Sequence, residues 1–260
     1  MRRSANLQVM VQAAQKAART LSHDFGEVEQ LQVSIKGPGD FVSAADRRAE
    51  TIISRELEKA RPSYGFLLEE SGASREQATN RWIVDPLDGT SNFLHGIPHF
   101  AISIALEQQG ELTAAVILDP IKGELFTAER GGGSFMNDRR LRVSSRKALP
   151  QAMFGCGIPV LDWEGRERGF MAQLDRVSAT VAGVRRLGAA ALDLAYVASG
   201  RFDGFWEFGL SSWDIAAGIL LVREAGGRVS KLEDDDLLGR GTIVATNGQL
   251  HAPLVELLRH

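Results

Sequence analysis

Apolar positions recur at helical spacing near the start of the chain. Leu7, Met10, Val11, Ala14, Ala18 and Leu21 share one face and predict a helix over 7–22. The polar stretch from Glu27 to Asp40 follows and ends in Lys36-Gly37-Pro38-Gly39-Asp40, a pattern that predicts a flexible turn. A second helix is predicted from Ser43, where Ser43 and Asp46 resemble a capping box with Asp as a weaker third member than Glu. Ile52, Ile53 and Leu57 give this helix its buried side, and Arg61-Pro62 ends it. Beyond Tyr64 short apolar runs predict strands at 65–68 and 82–84, then a pair at 100–107 and 112–118 around Gly110, and another at 124–128. Arg130 to Ser134 reads as a turn, and 151–166 as irregular. Later, 189–198 predicts a helix stopped by Gly200, and 204–207 a strand. An apolar helix over 213–225 stopped by Gly226-Gly227 follows, then strands at 228–232 and 242–245 and a closing helix at 250–258. Helices and strands in this mixed order predict layered α/β or α+β packing.

Composition narrows the function classes. The chain has 260 residues, 44% hydrophobic and 24% charged, with a formal net charge of -3. That balance is typical of a soluble globular protein and argues against a broadly basic nucleic-acid surface. Its length suits one large domain or two tightly packed lobes. The expected organisation is a single domain of two lobes, about 1–145 and about 146–260. No apolar run approaches the roughly 18 residues of a membrane helix. Met1-Arg2-Arg3-Ser4 leads into Asn6, Gln8, Gln12 and Gln15, so no export signal is read. The single Cys156 excludes an intrachain disulfide framework and fits a reducing cytosol, so the expected location is cytoplasmic.

The candidate chemistry lies in carboxylates at strand ends. Asp85-Pro86-Leu87-Asp88-Gly89-Thr90 sets two carboxylates three residues apart after the apolar Trp82-Ile83-Val84. Pro86 is expected to stop the strand and Gly89 to allow a tight turn. Asp85, Asp88 and the Leu87 carbonyl are hard oxygen donors suited to Mg²⁺ or Mn²⁺. Gly89-Thr90-Ser91-Asn92 can open a short helix whose exposed N–H groups bind an anion. A metal-binding turn leading into an anion-binding turn is the layout that phosphoester hydrolysis needs. Taken alone the string also reads as a surface turn. Two further acidic sites favour the chemical reading: Glu69-Glu70 after a strand, and Asp214 behind Trp213 at the head of an apolar helix. Asp214 reads equally well as an acid stabilised at a helix N-terminus.

Together these strings resemble the inositol monophosphatase superfamily of lithium-sensitive, Mg²⁺-dependent phosphatases. Trp82-Ile83-Val84-Asp85-Pro86-Leu87-Asp88-Gly89-Thr90-Ser91-Asn92-Phe93 is similar to its first signature. Trp213-Asp214-Ile215-Ala216-Ala217-Gly218, with Glu224-Ala225-Gly226-Gly227 behind it, is similar to the second, and Leu68-Glu69-Glu70-Ser71 to the acidic motif upstream. Residues 98–105 and 191–200 resemble the bacterial SuhB-type branch. The resemblance implies a five-layer αβαβα sandwich and a homodimer. It implies two to three Mg²⁺ ions, with Mn²⁺ as a substitute. Glu69, Asp85 and the Leu87 carbonyl would hold the first ion and Asp85, Asp88 and Asp214 the second, with a weaker third on Glu69. Asp46 and Thr90 would orient the attacking water, with Glu70 nearby. The Gly89 and Thr90 backbone would hold the phosphate. Glu207 and the Ala190 backbone would hold polyol hydroxyls, and Asp214 would stand on the leaving-group side.

The implied reaction is hydrolysis of myo-inositol 1-phosphate or a related polyol or sugar phosphate. Histidinol phosphate, fructose 1,6-bisphosphate and 3'-phosphoadenosine nucleotides are alternatives on the same site. The branch resemblance adds a different class, a transcription antitermination partner of RNA polymerase, for which the charge balance disfavours direct nucleic-acid binding. Departures from the family pattern bear on substrate choice. Ser43 stands where many relatives carry Thr, and Gly188-Ala189-Ala190 has Ala where many carry Ser or Thr. Ser211-Ser212 precedes Trp213 at a variable position.

Other signals are set aside. His95 and His99 have a zinc spacing only in a helix, which Gly96 and Pro98 oppose, although His95 could still line the substrate rim. Gly131-Gly132-Gly133 lacks the helix and Lys of a phosphate loop, and Glu233-Asp234-Asp235-Asp236 reads as a solvated loop. Cys156 reads as a buried or idle thiol, and Arg185-Arg186 as surface or dimer interface. Lys36 suits a phosphate contact and a loop cap equally.

Overall fold

Alternation along the strands of a computed structural model sorts side chains into three separate cores, and five layers follow from that. The structure describes residues 3–27, 33–37, 40–158, 166–239 and 241–259. Helices α1 (Ala5–Gly26) and α2 (Ala44–Ala60) form the first layer. The second is an eight-stranded sheet of β3 (Gly65–Leu68), β4 (Gly72–Ser74), β5 (Asn80–Asp88), β6 (Ala101–Gln108), β7 (Glu111–Asp119), β8 (Glu124–Glu129), β9 (Gly133–Met136) and β10 (Arg139–Arg140). Its strand order is β10-β9-β8-β7-β6-β5-β3-β4, with β3 parallel to β5 and the other pairs antiparallel. Helices α5 (Ala190–Ala198) and α6 (Ser212–Glu224) make the middle layer.

The second sheet joins β11 (Met153–Cys156), β12 (Gly183–Arg185), β13 (Gly204–Phe208), β14 (Arg228–Lys231) and β15 (Thr242–Thr246) in the order β12-β11-β13-β15-β14. Helices α4 (Arg166–Ser178) and α7 (His251–Arg259) cover its outer face. On the large sheet Trp82, Val84, Ile102 and Ile104 face α1 and α2, whereas Ile83, Ala101, Ala105 and Ile117 face α5 and α6. On the small sheet Phe205 and Ile243 face the middle helices and Trp206 and Val244 the outer pair. Period-two burial on both sheets is why α5 and α6 are apolar all round, and each such buried side chain contributes about 1.5–3 kcal/mol.

The predicted helices and strands are present with small changes of boundary, and three expectations are corrected. Pro86 does not stop β5. The strand runs on to Asp88, and the pairing with β6 skips from Asp85↔Ser103 to Asp88↔Ala101. That bulge takes Pro86, which has no N–H to give, out of the ladder. The polar stretch after α1 contains an antiparallel pair, β1 (Val33–Gly37) with β2 (Asp40–Ser43), too short and polar to show an apolar face. Residues 151–166 are not all irregular: β11 lies there, a four-residue run with no alternation to read. Pro38, Gly39, 159–165 and the contacts expected of Lys36 and Ser43 fall outside the described residues and side chains. Among the described residues no helix is long and apolar enough to cross a membrane.

Candidate active site

The bulge that absorbs Pro86 also builds the site. It turns the end of β5 so that Asp85 is buried at 2% exposure, with Oδ1 accepting the Leu87 N–H at 2.9 Å. Gly89 then takes φ +90, which only glycine adopts without strain, and α3 (Thr90–Leu94) starts. Its single hydrogen in place of a side chain also serves packing. A Cβ there would stand 3.1 Å from the His99 carbonyl and 3.3 Å from both the Ala189 Cβ and the Gly188 carbonyl. The short helix predicted at Gly89–Asn92 is present, and Asn92 pins it. Asn92 Nδ2 donates to the carbonyls of His99 at 2.8 Å and Leu187 at 2.9 Å, tying the large sheet to the loop before α5.

Thr90 reaches back to the first layer. Its Oγ1 lies 3.0 Å from Asp46 Oδ1 on α2 and 3.0 Å from the Leu87 carbonyl, so its one proton serves either acceptor. Asp46 is fully buried. One helical turn on, buried Glu50 accepts the Glu70 N–H at 2.8 Å and the Ser71 hydroxyl, which fixes the Glu69-Glu70 turn after β3. From the middle layer Ala191 N–H donates to Asp88 Oδ2 at 2.7 Å, and the Ala190 N–H also serves Asp88. Helix α5 has no capping side chain of its own at Ala189, so Asp88 stands in as its N-terminal acid. Asp214 sits in the first turn of α6, with Oδ2 accepting the Ser211 N–H at 2.6 Å, and Ser103 Oγ meets the neighbouring Trp213 carbonyl at 3.3 Å.

These placements crowd negative charge into a poorly solvated region. Burial raises the Asp85 carboxyl well above its usual range, and Glu69, Asp88 and Asp214 raise it further. Asp88 is pushed up to about 7, chiefly by burial and against the pull of the Ala191 N–H. Glu207, on β13, is pushed up to about 8 by burial and then by Asp214 and Asp88. The structure thus brings Glu69, Asp85, Asp88, Asp214 and Glu207 within electrostatic reach of one another, with Asp46 and Thr90 adjoining through Leu87. Among the described residues no set of three or more His, Cys, Asp or Glu side chains stands closed as a ready-made metal cage. The donor set itself fits a hard divalent cation: carboxylates and a carbonyl, held too close to remain ionised together without a counter-charge.

Three further residues act on the site. Glu50 could have been found as the acid one turn beyond Asp46 on a helix face otherwise buried through Ala49, Ile53 and Leu57. Asp193, 1% exposed, is the lone acid of an apolar helix; its Oδ1 has no hydrogen-bond partner, and burial followed by Glu207 raises its carboxyl well above the usual range. Arg186 is the cation that acts on both Asp193 and Glu207.

The signals set aside have structural partners. The N–H groups of Gly131 and Gly133 donate to Glu224 at 2.9 and 2.8 Å, and Glu233 takes the Thr242 N–H and hydroxyl at 2.8 and 2.7 Å. His99 Nδ1 meets Lys122 Nζ at 3.3 Å, and His95 Nδ1 the Ser91 carbonyl at 2.8 Å. Cys156 is buried.

A αβαβα sandwich with acidic strand and helix ends converging between its sheets defines a class of phosphatases. The chain belongs to the inositol monophosphatase family, whose model matches residues 3–260. It is 62% identical to an inositol-1-monophosphatase of Mesorhizobium japonicum, covering 100% of this chain and 98% of that protein. It is 45% identical to the Nus factor SuhB of Pseudomonas aeruginosa over 97% of this chain and 95% of that one. Among solved structures, the extragenic suppressor protein suhB of Bartonella henselae superposes with a TM-score of 0.95 at 56% identity, covering 98% of this chain and 99% of that one.

Proposed function

We propose that this phosphatase hydrolyses myo-inositol 1-phosphate, or a closely related polyol monophosphate, with Mg²⁺ held by Glu69, Asp85, the Leu87 carbonyl, Asp88 and Asp214. The observation that carries the reading is the convergence of Glu69, Asp88 and Asp214 on the buried Asp85, where like charges crowd its carboxyl and a divalent cation would relieve them. When bound, such cations supply positive charge that favours the ionised form of the attacking water and stabilises the departing oxygen. Mn²⁺, also a hard oxygen-seeking cation, is the expected substitute.

The chain's own groups hold the reactants. With the Thr90 hydroxyl donating its hydrogen bond to Asp46 Oδ1, the Thr90 oxygen accepts a hydrogen bond from the attacking water and so aims the water's lone pair at phosphorus. Glu70 stands at the neighbouring turn that Glu50 fixes. The N–H groups of Gly89 and Thr90, at the start of α3, hold phosphate oxygens. The water oxygen bonds to phosphorus as the ester P–O bond breaks; one of the water's protons ends on the released alkoxide and the other on the new phosphate, giving the alcohol and inorganic phosphate. Glu207 and the Ala190 backbone accept and orient the alcohol's hydroxyls, with Asp214 on the leaving-group side.

The chain is read as one unit of two lobes, about 1–145 and about 146–260, acting in the cytoplasm as a homodimer and inhibited by lithium. Phosphate release from myo-inositol 1-phosphate, histidinol phosphate, fructose 1,6-bisphosphate and 3'-phosphoadenosine 5'-phosphate, with and without lithium, tests the substrate. Preference for the inositol ester with lithium inhibition is expected, and preference for another ester refutes the assignment. The Nus factor name of the Pseudomonas aeruginosa relative supports a second reading, association with the transcription machinery. That role would persist in an Asp88→Asn variant that co-purifies with RNA polymerase.

A further inference from the structure

Glu207 sits on β13, and β11 runs parallel beside it with Phe154↔Gly204, Gly155↔Phe205 and Cys156↔Trp206 in register. The next residue of each strand is Gly157 and Glu207, so these two are lateral neighbours at the strand ends, and the Gly157 N–H donates to the Trp206 carbonyl at 3.3 Å. Gly157 is buried, and a Cβ built on it would fall 1.8 Å from Glu207 Cδ, 1.9 Å from Oε1 and 2.1 Å from Oε2. The carboxylate therefore lies directly over the Gly157 Cα, in space that any other residue would fill. Among the described residues none donates a hydrogen bond to that carboxylate; its neighbours act through charge, with Asp214 and Asp88 against it and Arg186 in its favour. What fixes the carboxylate is thus the shape of the floor beneath it.

We propose that Gly157 is a positioning residue for substrate selection, its missing side chain seating the Glu207 carboxylate where it accepts hydroxyl protons from the alcohol part of the ester. The inference rests on the reading that Glu207 faces that alcohol. The clash a side chain would cause falls on the far end of a flexible Glu, whereas the strand register holds the backbone through Glu207↔Ile243. Gly157→Ala should therefore swing the carboxylate away and leave the fold in place. Losing a buried hydrogen bond is worth about tenfold in discrimination.

The test compares kcat/KM for myo-inositol 1-phosphate with that for 4-nitrophenyl phosphate, which has no hydroxyls, in a double-mutant cycle of Gly157→Ala and Glu207→Ala, beside a crystal structure of Gly157→Ala. The expected result is a roughly tenfold fall in the ratio of the two esters for Gly157→Ala. In the Glu207→Ala background the same change should add less than about twofold, and the Glu207 carboxylate should be displaced by more than about 1 Å in the crystal. An unmoved carboxylate, or an equal effect of Gly157→Ala in both backgrounds, overturns the proposal. If Gly157→Ala does not fold, recovery of the fold by the added Glu207→Ala supports it, and failure of both to fold overturns it. A displaced carboxylate with no change of ratio for Glu207→Ala would instead refute the assignment of Glu207 to the alcohol.

Discussion

Asp88→Asn separates the electrostatics of the site from its chemistry. Asp88 is raised from 3.8 to about 7, about three pH units at about 1.36 kcal/mol each, so a ceiling of about 4 kcal/mol is stored in its ionised form. The residue keeps some solvent contact, and roughly half of that ceiling survives screening. An Asn side chain can still offer an amide oxygen to the Ala191 N–H and carries no charge toward Glu69. At pH 8 in chelator the variant should therefore be more stable by about 2 kcal/mol, about 4 °C in Tm for a chain of this size. The difference should shrink as pH falls below about 7 and vanish only below about pH 3.8, where Asp88 is protonated in the unfolded chain as well. Adding Mg²⁺ should raise Tm of the wild type more than that of the variant. Phosphate release should fall by at least about 10²-fold. Calorimetry in chelator and in Mg²⁺, with a phosphate assay on the same preparations, reads all of this. A lower Tm for Asp88→Asn in chelator at pH 8 refutes the charge argument, and wild-type turnover refutes the site.

Other expectations follow from the same geometry. The cation-free protein should lose stability as pH rises from 6.5 to about 8, the upper part of a loss that begins at about pH 4, because Asp88 and Glu207, raised to about 7 and about 8, keep protons in the folded protein that the unfolded chain has already released; above about 8 the loss levels off. His99 and His251, lowered to about 4, act in the opposite direction only below their usual value, so a Tm that is flat or rising over 6.5–8 in chelator contradicts the charge crowding. Gly89→Ala should cost about 2–3 kcal/mol, from φ +90 and the 3.1 Å approach to His99, and reduce kcat/KM with it; a melt within 0.5 kcal/mol of wild type counts against the packing described. Asn92→Leu should cost about 2–3 kcal/mol by stripping donors from the His99 and Leu187 carbonyls, which urea titration measures. Burial pushes the Cys156 thiol up to about 12, so a thiol reagent at pH 8 should label it only after unfolding, and rapid labelling of the native protein would contradict its burial.

The parts of the fold legible in the sequence are those with a long regular pattern. The faces of α1 and α2, the strand pair around Gly110 and the apolar α5 and α6 all declare themselves by period or length. Strands such as β4, β9 and β11 have only three or four residues, too few to establish a period, and they exist because the sheets' existing edges give them partners. Pro86 misled because proline ends a strand by local rules, whereas here tertiary pairing with β6 tolerates a bulge. At the site, Glu69 and Asp85 were legible because carboxylates directly after apolar strands are unusual, Asp88 because it shares a Pro-Gly turn with Asp85, and Asp214 because it heads an otherwise apolar helix. That Asp88 would cap α5, that Glu50 would hold the Glu69-Glu70 turn and that Glu207 would lie over Gly157 was not, since each joins elements far apart in the chain.

On the proposed function, the buried carboxylates serve phosphoester hydrolysis only with a divalent cation among them. The most direct measurement is phosphate release from myo-inositol 1-phosphate by chelator-treated protein during titration with Mg²⁺. No release is expected before addition, with recovery that saturates as Mg²⁺ is added. Full turnover by folded protein in excess chelator would contradict it.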